Sequence, residues 1–445
     1  MKKKNTLAGV LAAAMLLPTN ALALSPSDFS DFPSDWSTEA LTNAVENGLL
    51  NGSDGQINAS GRLTRAEMAA IVNRAFGATA TASLSGYSDV SPSAWYYTDM
   101  AKAVQMGTFE GSDGRLNPDD PITREEAFVV LARAFALEDG SSSALSRFSD
   151  SSAVSSWARG GVSALVENGY IEGSGGMLHP QDSITRAEFA QVMDNLIGTY
   201  VTSAETVTAV EDGNVIVRAD GASLQDVTIN GDLIIADGAD NVSLSGVTVT
   251  GKIIIRGGLE QVTVTSSSAS GGVVVANPNG TTALSSSDST LGTVTVNSDL
   301  TVSGDFDEII VAESADVTVQ SGAVSRITVS DAAASSTVTV ASGASVSAVQ
   351  ADATGVSVRG EGTVTTVQAN ADDVSVSTAG TRVTAASGTT GVTRRARQLK
   401  PARRRPSTAP AQLRPSAAAA RQAAVRPVAV RPAAEPRMRT MKRLK

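Results

Sequence analysis

Apolar residues recur at helical spacing in three stretches within the first 200 residues of the chain. In each stretch a short amphipathic run stops at a glycine, and a second run follows after a polar loop. The glycines that end the first runs are Gly48, Gly107 and Gly169. The clearest second run keeps five apolar residues on one helical face: Met68, Ile71, Val72, Ala75 and Phe76. The pattern predicts a unit of helix, glycine loop and helix.

Three markers recur at fixed spacing in every unit: a Trp, a Gly sixteen residues later, and a Thr-Arg-x-Glu motif twelve residues after the Gly. They stand at Trp36, Gly52 and Thr64, then Trp95, Gly111 and Thr123, then Trp157, Gly173 and Thr185. The periods of 59 (95 minus 36) and 62 (157 minus 95) residues indicate one structural unit present three times. We predict all-α repeats at residues 29–80, 87–140 and 148–200.

Short apolar or alternating triplets replace the helical pattern from about residue 205, with Gly, Asn or Asp between them. One set repeats every twenty residues: Leu233-Ile234-Ile235, Ile253-Ile254-Ile255 and Val273-Val274-Val275. A later set steps by 21, 18 and 18 residues: Val317-Thr318-Val319, Val338-Thr339-Val340, Val356-Ser357-Val358 and Val374-Ser375-Val376. This periodicity predicts an all-β region at residues 205–393, a right-handed parallel β-solenoid of about nine coils and ~45 Å. A β-sandwich array is the alternative, and it would show hairpin turns every ~8–12 residues.

The amino terminus has the layout of a secretory signal peptide. Three lysines precede the apolar run Leu7 to Leu17, and Ala21-Leu22-Ala23 offers a cleavage site. We therefore expect residues 1–23 to be removed and the protein to be secreted to the extracellular face of the cell. The chain has no Cys, and no later segment approaches the ~20 apolar residues of a membrane helix. Retention at the cell would have to be non-covalent.

Charge divides the chain unevenly. Residues 394–445 hold sixteen Lys or Arg and one acid, which leaves 19 basic (35 minus 16) and 44 acidic (45 minus 1) residues, a net of −25, for the rest. An acidic body of this kind argues against nucleic acid as a partner. The Arg-, Pro- and Ala-rich tail has no apolar periodicity and is predicted to be disordered. This tail is either an out-of-frame extension of the gene or a genuine basic arm.

The Thr-Arg-x-Glu motif combines a structural signal with a chemical one. Thr64 and Glu67 form a capping box, which needs no ligand. Arg65 falls at the first helical position, where the helix dipole disfavours a cation by ~0.3–1 kcal/mol. A guanidinium beside free N–H groups and a glycine loop is suited to binding an anion. The alternative is a salt bridge from each Arg to an acid of a neighbouring repeat, such as Asp31, Asp89 or Asp150.

The three Trp residues allow two interpretations. A Trp near a helix start commonly packs into a core or at its edge, because burial removes a large apolar area from water. Its recurrence beside an Arg and a glycine loop also suits stacking against the apolar face of a sugar ring.

The order Phe-x-Asp, Trp, Gly-Ser-Asp-Gly, Thr-Arg-Ala-Glu resembles the S-layer homology domain, of which three tandem copies form a cell-wall anchor. The resemblance implies a pseudo-threefold helical bundle whose inter-repeat grooves hold a pyruvylated secondary cell-wall polysaccharide. It further implies that the motif arginines contact the acidic sugar and that the loop glycines and Trp residues form the walls. The residues concerned are Arg65, Arg124, Arg186, Trp36, Trp95, Trp157, Gly52, Gly111 and Gly173.

Some positions depart from the pattern. Gly175 replaces the loop Asp of the other copies, and Ala59 replaces a Pro. Glu125 adds a negative charge next to Arg124, which predicts a weakened site there. The single histidine, His179, is interpreted as a surface substitution.

These observations predict a non-catalytic, wall-anchored surface protein whose β region is structural or adhesive, with other S-layer subunits as further partners. We assign no cofactor, metal or catalytic residue. The β region has six scattered basic residues and no His, Trp or Tyr, whereas acid-base chemistry on a sugar needs clustered groups. The acids Asp232, Asp237 and Asp240 are interpreted as turn formers. The alternative is a wall-attached carbohydrate-active enzyme with a β-helix catalytic domain.

Overall fold

The computed structural model describes residues 24–394, so the predicted signal peptide 1–23 and all but the first residue of the basic tail lie outside the described residues. Six α-helices form the amino-terminal part, two in each repeat. They are α1 Thr38–Glu46, α2 Arg65–Phe76, α3 Tyr97–Gln105, α4 Arg124–Ala134, α5 Arg159–Glu167 and α6 Arg186–Leu196. Short 3₁₀ helices lie at Pro26–Asp28, Ser142–Arg147 and Ser151–Ala153. We call residues 28–198 the helical module.

Local sequence signals set the helix ends. Thr64, Thr123 and Thr185 cap α2, α4 and α6, and the glutamate three residues later completes each capping box. The glycine that follows each first helix has a left-handed backbone, with φ of 67°, 69° and 75° in the three repeats. The predicted apolar face of α2 is buried in full.

Backbone hydrogen bonds close the three repeats into a ring. The N–H of Leu63 donates to the carbonyl of Ile184, that of Ile184 to Ile122, and that of Ile122 back to Leu63, at 3.0, 3.1 and 2.9 Å. Each of these residues stands one position before a Thr-Arg-x-Glu motif. The cycle marks the pseudo-threefold axis that the family resemblance implied.

The β region is a parallel solenoid, which excludes the β-sandwich alternative because the sandwich needs antiparallel strands. Sheet A contains β1 Thr199–Val201, β3 Val215–Val217, β6 Leu233–Ile235, β9 Ile253–Ile255, β12 Val273–Val275, β14 Thr293–Val296, β16 Phe306–Val311, β18 Ala323–Val329, β20 Ser345–Ala351, β22 Thr363–Ala369 and β24 Arg382–Ala385. Sheet B contains β2 Thr206–Val207, β4 Ser223–Gln225, β7 Asn241–Ser245, β10 Gln261–Thr265, β13 Thr282–Ser287, β15 Leu300–Ser303, β17 Asp316–Ser321, β19 Thr337–Val340, β21 Ser357–Gly360, β23 Ser375–Val376 and β25 Thr393–Arg394. A short sheet C contains β5 Thr228–Ile229, β8 Thr248–Val249 and β11 Ser268–Ala269.

The strand register agrees with the predicted pairing of the triplets apart from one step, although the spacing of paired residues along sheet A varies from 15 to 22. Leu233, Ile253 and Val273 are paired as the triplets predict. Val338, however, pairs with Val358, a step of 20, and not with Val356. The predicted step of 18 was wrong there because Val356 and Val358 flank the same serine and both fit an alternating pattern. Eleven strands in each long sheet extend the stack over about 48 Å at ~4.8 Å per step.

The first coils of the solenoid share a hydrophobic core with the helical module. Ile216, Ile234, Ile254 and Val274, the central residues of four successive sheet A triplets, belong to the same buried cluster as the module's own core. Their neighbours on either side point into the solenoid interior. A strand buried on both faces has a continuous apolar run, which is what these triplets show. The helical module therefore covers the outer face of sheet A over these coils.

Polar contacts reinforce this interface. Arg218 donates to the carbonyls of Arg74 and Asn47 at 2.8 and 2.7 Å. Lys252 pairs with Glu138 at 2.7 Å, and Arg256 donates to the carbonyl of Met106 at 2.9 Å. We predicted that the basic residues of the β region were scattered without a shared phase, and for Arg218 and Arg256 that was wrong. Each stands one residue after a sheet A triplet, so the strand pairing brings them to the same position two coils apart, whereas Lys252 stands one residue before its triplet.

Burial also corrects the role predicted for two acids of the β region. The Asp237 side chain is fully buried and pairs with Arg256, with Oδ1 and Nε 2.8 Å apart. Asp232 is partly buried, and its Oδ1 accepts the backbone N–H of Lys252 at 2.7 Å. Burial raises the pKa of both carboxyl groups above the ordinary value. Their contacts are with the fold, between coils.

Candidate functional site

Three grooves lie between the repeats, and each takes one marker from every repeat. The Gly52 groove combines Gly52 of the first repeat, Arg186 of the third and Trp95 of the second. The Gly111 groove is lined by Gly111, Arg65 and Trp157, and the Gly173 groove by Gly173, Arg124 and Trp36. Their cavity volumes are about 310, 370 and 810 Å³ in that order. A groove thus joins the loop of one repeat, the Arg of the repeat before it and the Trp of the repeat after it.

The Trp side chains are exposed. Trp36, Trp95 and Trp157 retain 62, 66 and 57 % of their accessible surface, so the core-packing interpretation does not hold for them. A large exposed aromatic at the rim of a polar groove offers an apolar face to a ligand at little conformational cost. The same arrangement occurs in all three grooves.

The motif arginines are mostly buried and join neighbouring repeats. Arg65 pairs with Glu126 and Arg124 with Glu188, each with Nη1 and Oε1 2.9 Å apart, and Arg186 pairs with Glu67. The Nε of Arg65 and of Arg124 donates to the carbonyls of Leu116 and Leu178 at 2.8 Å. Each glutamate therefore caps its own helix and neutralises the arginine of the preceding repeat, and each arginine lines a groove.

The predicted free N–H groups at the helix starts are not free. The N–H of Arg65 donates to the carbonyl of Asp120, and that of Ala66 to the carbonyl of Pro118, at 3.0 and 2.9 Å. The other two repeats repeat both contacts with their own neighbours. Packing around the threefold axis uses these N–H donors for hydrogen bonds between repeats. They are therefore not available to bind an anion, as we had expected.

The salt bridge from each motif arginine to an acid of a neighbouring repeat, which we considered as the alternative, is present, but its acid is a glutamate and not Asp31, Asp89 or Asp150. Each aspartate carboxylate accepts two backbone N–H groups from the loop of its own repeat, as Asp31 does from Ile57 and Asn58 at 2.7 and 2.9 Å. Burial would raise the pKa of all three groups, but these hydrogen bonds outweigh it and hold each pKa below its ordinary value. The aspartates fix the loops.

Two departures from the repeat pattern are resolved by the structure. Glu125 is 2 % exposed and accepts the N–H and the hydroxyl of Ser155 at 2.9 and 2.6 Å. Its carboxylate is therefore engaged by Ser155, and Glu125 is not among the residues that line the Gly173 groove with Arg124. His179 has a left-handed backbone with φ of 53°, like Asn58 and Asn117 at the same position of the other repeats.

The loop glycines are required by close packing. Gly52 has φ of 60°, and a Cβ there would overlap the Phe29 ring and the Gln56 carbonyl. At Gly111 and Gly173 a Cβ would meet the corresponding ring, Tyr87 or Phe148, and a backbone carbonyl. The glycines therefore let an aromatic ring support each loop from below while the loop forms the groove wall.

We expect Gly52→Ala to lower the free energy of unfolding more than Gly48→Ala. Both positions have left-handed φ, at 60° and 67°, but nothing lies within 4 Å of a Cβ at Gly48. Backbone strain alone would cost about 1 kcal/mol, and overlap at Gly52 should raise the loss to about 3 kcal/mol. Urea unfolding of the full chain, followed by circular dichroism, measures both. Equal losses would show that the Phe29 contact does not constrain the loop.

Groove-lining residues outside the three markers were missed by sequence reasoning. Arg74 lines the Gly52 groove, and Arg133 and Glu110 line the Gly111 groove. Arg74 and Arg133 stand nine residues after the motif arginines, on the third turn of the same helices. Their recurrence at that offset was the available signal.

The comparisons with known proteins agree with this geometry. Residues 28–69, 86–128 and 147–190 each match the model of the S-layer homology domain. The surface-layer 125 kDa protein of Lysinibacillus sphaericus is 35 % identical over 193 residues, 42 % of this chain and 16 % of that protein. The S-layer protein sap of Bacillus anthracis is 28 % identical over 48 % of this chain and 27 % of its own length. An amylopullulanase of Thermoanaerobacterium thermosulfurigenes is 27 % identical over 38 % of this chain and 9 % of its own length.

Fold and matches together indicate a cell-surface protein that carries domains of a non-catalytic anchoring type. Three tandem stretches of the helical module match the S-layer homology domain. The chain spans less than a third of the length of the relatives named above. Within residues 24–394, every helix is too short or too polar to be a membrane span.

Proposed function

We propose that the helical module binds an anionic, pyruvylated secondary cell-wall polysaccharide and thereby holds the β-solenoid at the cell surface. The observation that carries the proposal is the recurrence of one constellation in three grooves. Each groove has a guanidinium, an exposed indole and a glycine loop, drawn from three different repeats. A purely structural role would not require an exposed Trp at the same place each time.

The chemistry of a groove matches an acidic sugar. The guanidinium N–H groups not used by the glutamate or the loop carbonyl can donate to a carboxylate, in a site that is largely shielded from water. The indole offers a flat apolar surface to the C–H face of a pyranose ring. Loop backbone and hydroxyl groups supply neutral hydrogen bonds for the remaining sugar oxygens.

The salt bridge to glutamate fits this role. A lone buried guanidinium would be costly to desolvate, whereas a paired one keeps its orientation while the groove is empty. A ligand carboxylate then adds to an ion pair that is already formed, so recognition depends on the geometry of the remaining N–H groups. We infer a binding site of modest strength per groove and an anchor that gains affinity from several grooves on one polymer.

We further infer that residues 1–23 direct export and that the solenoid is a structural or adhesive projection without catalytic activity. Asp232 and Asp237, which could serve as acids, are partly or fully buried and engaged in contacts within the fold. Acid-base chemistry on a glycan requires carboxyl groups that a substrate can reach.

Cosedimentation of the full chain with isolated wall sacculi tests the proposed function. We expect the protein to pellet with sacculi that retain their polysaccharide and its ketal, and to stay in the supernatant after mild acid has removed the ketal. Sacculi stripped of all secondary polymer give the background. Equal binding before and after ketal removal would contradict recognition of the acidic group.

A further inference from the structure

The three grooves differ in charge at one pair of positions, one on a helix and one on a loop. The first position is on the helix, nine residues after the motif arginine, and holds Arg74, Arg133 or Asn195. The second precedes the loop glycine and holds Asn51, Glu110 or Glu172. Both residues line the same groove in every case. The Arg–Glu pair of the motifs is common to all three grooves, so this second pair is what distinguishes them.

The Gly52 groove has a cation, Arg74, without an ion-pair partner among the described residues. Arg74 is partly buried, and its Nε is enclosed with no hydrogen-bond partner over residues 24–394. Asn51 at the second position is neutral, and Asp99 acts on Arg74 only from beyond ion-pair distance. Burial lowers the pKa of the Arg74 guanidinium, but an arginine stays protonated in such a site. A partly desolvated, unpaired guanidinium is a strong site for a carboxylate.

The Gly111 groove has the same cation with a partner. Arg133 donates to Glu110 with Nη2 and Oε2 2.9 Å apart, and both side chains are accessible to solvent. An exposed pair of this kind is weak and can open to a ligand carboxylate. Arg115 on the loop also lines this groove and pairs with Asp89, with Nε and Oδ2 3.7 Å apart.

At the second pair, the Gly173 groove has an anion and no cation. Asn195 replaces the arginine, and its amide is bound to the Tyr170 carbonyl and to Gln191, both at 3.0 Å. Glu172 is exposed at the second position and has no ion pair in the part of the chain that the structure describes. The lining charges sum to −1, from Arg124, Glu172 and Glu188. The same sum is 0 for the Gly52 groove and +1 for the Gly111 groove.

We propose that Arg74 and Arg133 form a second cationic contact for the acidic sugar, so that the Gly52 and Gly111 grooves bind it and the Gly173 groove discriminates against it. This inference rests on the proposed function and deepens it. The anchor then has two sites for the acidic group of the polymer, although all three grooves share the motif residues. The Gly173 groove also has the largest cavity volume of the three, about 810 Å³.

Each groove carries its own reporter, because the chain has three Trp residues and one lies in each groove. The full chain labelled with 5-fluorotryptophan should give three ¹⁹F resonances, which single Trp→Phe variants assign. The probe is a methyl hexopyranoside with a 4,6-pyruvate ketal, and the matched control is the same sugar without the ketal. We expect Trp95 and Trp157 to respond at probe concentrations at least tenfold below those that affect Trp36.

Two variants exchange the charge at the second pair between the grooves. Arg74→Asn should weaken the response of Trp95 about tenfold and leave that of Trp157 unchanged, which also controls for folding. Asn195→Arg combined with Glu172→Asn should strengthen the response of Trp36 by a similar factor. Equal responses in all three grooves, or none of these changes in the variants, would overturn the inference while leaving the proposed function intact. Equal responses to the ketal-free sugar would instead contradict the proposed function.

Discussion

Replacing Arg256 by alanine is expected to lower the free energy of unfolding by about 3–5 kcal/mol. The guanidinium is 4 % exposed and lies between the solenoid and the helical module. It pairs with the fully buried Asp237, donates to the Met106 carbonyl and lies 5.6 Å from the centre of the Phe76 ring. Its removal would leave a carboxylate buried without compensation, and that penalty dominates the loss.

The pH dependence of this loss has a definite sign. Burial holds the pKa of Asp237 above its ordinary value even with Arg256 present. Without Arg256 the pKa rises further, so the folded variant binds a proton at a pH where the unfolded chain does not. The free energy of unfolding of the variant is lowered most, relative to the unaltered protein, at pH values well above the pKa of Asp237 in the folded variant. The difference becomes smaller as the pH falls through that pKa. Urea unfolding at several pH values measures both the difference and its narrowing.

Arg359→Ala is the matched control. Arg359 is exposed on the same solenoid, and its Nε donates to the Thr339 hydroxyl at 3.2 Å. Its loss should change stability by no more than about 0.5 kcal/mol. The double variant Arg256→Met with Asp237→Leu removes both charges and should recover most of the stability. Equal effects of Arg256→Ala and Arg359→Ala would show that the interface does not depend on the buried pair.

Replacing Trp36, Trp95 and Trp157 together by alanine is expected to abolish cosedimentation with wall sacculi. Each indole is more than half exposed, so its removal takes little from the core. If each supplies the stacking surface of its groove, every occupied groove should lose about tenfold or more in affinity. Because several grooves act on one polymer, these losses multiply. The Trp residues make a sharper test than the arginines, since the latter also join the repeats.

Leu259→Ala is the control for this variant, because Leu259 is an exposed apolar residue of the solenoid at 41 % accessibility and lines none of the three grooves. It should pellet like the unaltered protein. Circular dichroism of the Trp variant should retain the helical signal. Undiminished pelleting of the Trp variant would show that the polymer is held without aromatic stacking.

Much of the fold could be predicted because its signals are local. The Thr-x-x-Glu spacing specifies a helix start through contacts within four residues, and the glycine after each first helix specifies its end. The apolar triplets predicted the solenoid and most of its strand register, since each coil places apolar residues at the same inward-facing positions. The register slip at Val356 arose where two valines fitted one alternation equally well.

The composition of the grooves could not be predicted in the same way. Three near-identical motifs allow the Arg of one repeat to meet the Glu of its own, the next or the preceding repeat, and their local sequences do not distinguish these choices. The structure pairs Arg65 with Glu126, so each arginine meets the next repeat around the axis. That choice also uses the helix-start N–H groups that we had expected to be free.

The sequence by itself determined the repeating units, their helices and coils, and the residue types available for binding an acidic glycan. Those features depend on periodicity and capping, which act over a few residues. Tertiary structure alone decided which repeats share a groove, that Asp237 and Arg256 are buried as a pair, and that the outer face of the first coils is covered by helices. These outcomes depend on packing between segments far apart in the chain, where the free energy comes from complementary surfaces and not from any local pattern.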